Sequence, residues 1–181
     1  MTSENHQTII DSTRTWVDRA VIGLNLCPFA KAVQVKGQIR YVVTDAQTEE
    51  ELMAALVTEL ERLVETSPDA VETTLLIHPH VLQDFMDYND FLELADGAVE
   101  ELELDGEIQV ASFHPNYQFD GTAPDDMENF SNRSPYPTLH LLRESSVERA
   151  VAEFPDTDTI YERNIETLDK LGPAGWASLW K

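Results

Sequence analysis

Two apolar runs in this chain end in His-Pro: "LLIHPH" at residues 75 to 80, with His78 before Pro79, and "SFHPNYQFDG" at 112 to 121, with His114 before Pro115. Imidazole titrates near pH 6.5, so it can move protons close to neutrality, and its nitrogens also bind zinc. Proline donates nothing to a strand ladder, so each histidine falls at a strand end. His80, two residues past His78, faces the same side of an extended chain. Spacing and residue type leave two roles open. One is acid-base catalysis by His78 and His114, and the other is zinc or another divalent metal on His78, His80 and His114. A third reading is that each histidine caps its strand through a backbone hydrogen bond. Tyr117 adds a phenol three residues past His114, flanked by Asn116 and Gln118, side chains suited to orienting a substrate.

The segment from 114 to 137 holds 24 residues, more than the roughly 12 to 15 of a structureless connection. Pro115, Pro135 and Pro137, with Phe119, Phe130 and Tyr136 as anchors, favour an ordered loop. Its far end, "NRSPYP", carries Arg133, and Arg143 follows in the next apolar run. A guanidinium matches carboxylate or phosphate in bidentate geometry, so both arginines are candidate substrate ligands. Glu144 offers Arg143 a local partner, which leaves Arg133 as the anion clamp. The expected site is one concave pocket at the carboxyl edge of a sheet, lined by His78, His114, Tyr117 and Arg133.

Cys27 stands directly before Pro28, and proline favours the first turn of a helix, so Cys27 reads as an N-cap. A thiol placed there ionises more readily, whereas a buried structural cysteine would be inert. No glycine-rich nucleotide or phosphate loop is present.

The elements that must position these residues are legible from period and punctuation. Ile9, Ile10, Thr13, Trp16, Val17, Ala20 and Val21 recur at helical spacing before Gly23. "IRYVVT" at 39 to 44 reads as a strand. Thr48 and Glu51 form a capping box before an apolar stripe that runs to about residue 66. "VETTLLIH" reads as a second strand, 82 to 102 as a helix, and "EIQVASF" as a third strand. Ser145 with Glu148 places a capping box after "PTLHLLRE", which makes 137 to 144 a fourth strand and starts a helix at 146. Pro155 closes that helix, and another runs from about 158 to Gly172-Pro173. The order predicts an α/β (α+β) fold, a mixed sheet of about four strands under helices, with 1–181 one globular domain and 1–6 a flexible N-terminal tail.

Composition narrows the function classes. Twelve Lys and Arg against 34 Asp and Glu give a net charge of -22, which disfavours nucleic acid and anionic membranes as partners. Residues 45 to 105 hold eighteen acids and one base, Arg62, an ordinary solvated face. The polar opening has no secretory pattern, and no run approaches the roughly 20 apolar residues that span a bilayer. The single cysteine suits a cytoplasmic setting.

"RAVIGLNLCPFAK", "FHPNYQF" and "NRSPYPTLHLLRE" together resemble a bacterial family catalogued as domain of unknown function 1415. The resemblance runs through almost the whole chain and implies a bacterial single-domain protein without supplying an activity. The Cys-Pro-Phe-Ala run also resembles single-thiol glutaredoxin-like proteins, although there the cysteine follows the first strand and here it precedes it. The sequence thus points first to an enzyme, by hydrolysis or group transfer, acting on a small anionic metabolite. A non-catalytic binding protein is the rival, with "GWASLW" available to dock a partner or a second copy, and a redox protein using Cys27 is a third reading.

Overall fold

The computed structural model describes residues 3–153 and 156–181. Its helices are α1 (Ser3–Trp16), which continues into a π-helical turn at Val17–Ile22, α2 (Ala30–Val35), α3 (Glu49–Glu65), α4 (Phe85–Glu101), α5 (Glu144–Glu153) and α6 (Thr157–Ser178). The strands β1 (Ile39–Val43), β2 (Thr73–Ile77), β3 (Ile108–Phe113) and β4 (Thr138–Arg143) form one sheet in the order β1-β2-β4-β3. β1 and β2 are parallel, while β4 is antiparallel to both its neighbours. The mixed α/β sheet is therefore as expected, and residues 138–143 are extended. β2 and β3 are not neighbours, because β4 lies between them.

Alternation along the strands gives the sheet two apolar faces. On one, Leu52, Leu56 and Leu60 of α3 and Phe91 of α4 bury against Leu76 and Leu139. On the other, Trp16 and Val17 pack on Leu75, joined by Phe113, Trp176 and Leu179. Each fully buried leucine contributes on the order of 1.5–3 kcal/mol.

Local chemistry sets the helix ends. Thr48 accepts the Glu51 N–H at 3.1 Å, and Glu51 reaches back to the Gln47 N–H at 2.7 Å, one residue beyond the expected box. α1 begins at Ser3, inside the segment expected to be a tail, and His6 bonds Asp45 at 2.8 Å. Cys27 is not an N-cap: α2 starts at Ala30 with Phe29 before it. The Leu26 and Cys27 N–H groups instead donate back to Val21 O, at 2.9 and 3.4 Å, closing the preceding turn. Cys27 is also exposed rather than buried, so neither the dipole argument nor the structural-cysteine reading applies to it. α5 starts at Glu144, ahead of the expected position, with Ser146 turned toward Glu72. Pro155 lies outside the described residues. α6 bends at Gly172 (φ 67°) where a stop was expected, and helical chain resumes from Pro173, a residue suited to a first turn.

Arg143 is part of this frame. Its Nη2 lies 3.0, 2.8 and 2.8 Å from the carbonyls of Leu63, Thr66 and Val71, tying the C-terminal end of α3 to the approach to β2. That nitrogen is committed to the frame, and Leu63 O otherwise takes only the Thr66 N–H at 3.3 Å. Arg143→Met is expected to cost about 2–3 kcal/mol in urea unfolding, with Arg143→Lys intermediate, since hydrogen bonds to charged groups are worth about 1.5–3 kcal/mol. An unchanged midpoint in Arg143→Met would show that the clamp contributes nothing.

Candidate functional site

His78 and His114 follow the last residues of β2 and β3, and both are fully buried. α4 and the turn before it cover them. The His78 ring packs on Tyr88 at 5.8 Å between centroids, tilted only 18°, and His114 packs on the same ring at 4.9 Å. The Tyr88 hydroxyl donates to Thr138 O (2.7 Å) and accepts the Phe113 N–H (3.1 Å), joining β3 to β4. Phe85 closes over His114 at 5.5 Å and over Tyr117 at 5.0 Å.

The partners of each imidazole fix its tautomer, because a carbonyl only accepts. His78 Nδ1–H donates to Val81 O at 3.0 Å, leaving a buried Nε2 with no partner. His114 Nε2–H donates to Leu82 O at 3.0 Å, and its Nδ1 accepts the Asn116 N–H at 3.0 Å. Burial pushes the His78 pKa down to about 4, and burial also lowers that of His114. His140, on β4, is likewise pushed down to about 4 by burial. It donates Nε2–H to Thr73 Oγ1 at 2.8 Å, while that hydroxyl donates to Leu141 O. These are neutral imidazoles bonded to their own chain.

His78, His114 and Tyr117 gather around Tyr88 and Phe85, and Arg133 meets this group only through the Tyr117 carbonyl. His80 has a buried Nε2 with no partner, and among the described residues no group of three or more His, Cys, Asp or Glu side chains is disposed to hold a metal ion. The zinc reading thus finds no ligand set among the described residues: His78 keeps Nε2 without a partner, but both nitrogens of His114 are engaged by backbone groups. Gln118 donates to Thr122 O at 2.6 Å inside its own loop, and Asn116 is exposed.

Arg133 borders a cavity of about 690 Å³ between α1, the 114–137 loop and the end of α6. That volume suits a small ligand. Trp16, Phe130, Trp176 and Trp180 supply its aromatic wall, Pro115 and Pro135 its rim, and Asp11, Ser12 and Thr15 a polar side. Arg133 Nε donates to Tyr117 O at 3.0 Å and Nη2 to Pro124 O at 2.5 Å, while the guanidinium lies 4.5 Å over the Phe130 ring. No carboxylate pairs with it among the described residues, and Nη1 carries no hydrogen bond there. Asp11, by contrast, accepts from Gln7 at 2.8 Å and lies 3.8 Å from Arg14.

Sequence reasoning passed over the two asparagines that hold the loop behind this wall. Asn129, fully buried, accepts the Phe119 N–H (2.8 Å) and Thr122 hydroxyl (3.0 Å) and donates to Ala123 O (2.8 Å), folding the loop on itself. Asn132 ties it to β3 through Ser112 O at 3.0 Å. The "GWASLW" tail packs on its own chain: Trp176 meets Phe130 at 5.2 Å and Trp180 at 5.6 Å, and Arg19 donates to Leu179 O at 2.8 Å. The proline and aromatic content of the loop and tail was the available signal.

A family model described as protein of unknown function (DUF1415) matches residues 8–178. No curated protein and no solved structure matches the chain. No helix among the described residues is long and apolar enough to cross a membrane.

The buried imidazoles make stability pH-dependent with a defined sign. The unfolded chain takes up their protons near pH 6.5, but folded His78 and His140 resist protonation until about pH 4. Their contribution is therefore complete above pH 6.5 and is lost as pH falls toward 4, by up to about 3 kcal/mol for His78. His78→Asn keeps a donor for Val81 O and removes the titration. Between pH 6.5 and 5 it is expected to lower the slope of unfolding free energy against pH by about 1 kcal/mol per unit on average. Equal slopes for variant and wild type would contradict a neutral, buried His78.

Proposed function

For a chain that belongs to the family described as protein of unknown function DUF1415, we propose that the function is to bind a small anionic molecule in the cavity between α1, the 114–137 loop and the end of α6. The observation that carries this reading is Arg133, a cation on the wall of a ligand-sized cavity that no described carboxylate neutralises and whose Nη1 makes no hydrogen bond to the described residues. In a molecule of net charge -22 an anion needs such a local positive charge to approach. Two carbonyls and the Phe130 face fix the guanidinium plane, so little side-chain entropy is lost when a ligand arrives. Asp11 opposes binding least where it is, since Gln7 and Arg14 already face it.

Proton transfer by His78 and His114 draws no support from their surroundings, where both rings are enclosed and three of their four nitrogens already serve the backbone. Binding needs neither. The reading belongs to a bacterial cytoplasm, which a lone exposed cysteine suits.

Calorimetric titration with small carboxylates and inorganic phosphate tests it. At least one should bind in the micromolar to millimolar range, and Arg133→Gln should weaken it by about tenfold or more, the worth of a charge-assisted hydrogen bond. Arg133→Lys should fall between, because it keeps the charge and loses the fork. Urea unfolding separates lost binding from a loosened loop. Wild type that takes up none of these anions, or a folded Arg133→Gln that binds them as tightly, would rule the reading out.

A further inference from the structure

Every tryptophan in the chain lines the same cavity, and they come from opposite ends of the sequence: Trp16 from α1, Trp176 and Trp180 from α6 and its end. Phe130 of the loop completes the wall. Their packing is edge to face, with Phe130 and Trp176 at 75° and Trp176 and Trp180 at 78°. Rings carry a negative face and a positive edge, so such a herringbone accepts another ring at its open end better than a saturated body of equal size. Trp180 stands at that end, 40% exposed, while Trp16 is 1% exposed. Arg133, over the Phe130 ring, sets positive charge beside the same wall.

Resting on the anion-binding reading above, we propose that the ligand is an aromatic carboxylate, its carboxylate on Arg133 and its flat ring against Trp176 and Trp180. Size agrees. A cavity of about 690 Å³ admits one or two fused rings with a short acidic arm. The prolines on the rim, Pro115 and Pro135, add rigid apolar edges that ask nothing of the ring in hydrogen bonds.

The probes are naphthoate, its saturated decalin carboxylate and neutral naphthalene methanol, titrated calorimetrically into the full chain. The indole N–H resonances report where each binds. Naphthoate is expected to bind about three- to tenfold tighter than the saturated acid, the range of one edge-to-face ring contact, and to shift the Trp176 and Trp180 signals. Trp180→Leu, at a part-exposed position that the core does not need, should remove most of that preference while leaving the saturated acid within twofold. Equal affinity for the two acids overturns the aromatic assignment and leaves anion binding standing. Binding of the neutral alcohol as tight as naphthoate overturns the anion reading instead, and no binding by either acid overturns both.

Discussion

An antiparallel strand set between two strands that point the same way must enter the sheet at the edge where both of them end. β4 does this between β2 and β3, and much of the molecule follows from it. The chain leaves β3 at His114 and must re-enter at Thr138 beside it, so the loop cannot cross the sheet and stays over one edge. β2 delivers His78 to that same edge, where the His78 N–H donates to Pro137 O at 3.0 Å. Polar backbone from three strand ends is thereby gathered in one place. Buried N–H and C=O groups need partners, and Tyr88, His78 and His114 supply them there.

That requirement explains why so many side chains able to do chemistry are occupied. A histidine ending a strand next to a protein-covered edge is useful because one ring can donate and accept at once, as His114 does between Leu82 O and Asn116 N–H. The same ring in water would be a proton carrier. Covered by Phe85 and Tyr88, it is a fixed neutral hydrogen-bonding plate, because burial penalises the imidazolium.

Elements with a local signature could be read from the sequence: the leucine stripe of α3 with its Thr48 cap, the apolar strands, and the loop too long to be a mere connection. Both histidines were placed at strand ends by the prolines after them. Their burial was not legible, because it depends on Tyr88 and Phe85 of α4 folding over a sheet edge whose strand order no local pattern specifies. Cys27 misled because Pro28 looks like a helix start, while the carbonyl of Val21 takes the Leu26 and Cys27 N–H groups into the turn before. The cavity was the least visible feature, since its wall draws on residues as far apart as Trp16, Phe130 and Trp180. Trp16 reads as one more apolar position in a helical stripe until its neighbours are known.

Arg133 and Arg143 had the same sequence-level interpretation, and their surroundings separate them. Arg143 sits where α3 ends, and three carbonyls converge on one of its nitrogens; moving it would take a charged donor from all three. Arg133 also bonds carbonyls, but only those of its own loop, and at the cavity wall its Nη1 carries no hydrogen bond among the described residues. A guanidinium desolvated without a carboxylate is costly, and burial accordingly lowers the Arg133 pKa. The chain has 34 acidic residues from which to place a neutralising partner, yet Asp11, the acid that lines the cavity, is engaged by Gln7 and Arg14. A cation held rigid, partly desolvated and without a carboxylate partner among the described residues is the feature on which the proposed anion site rests.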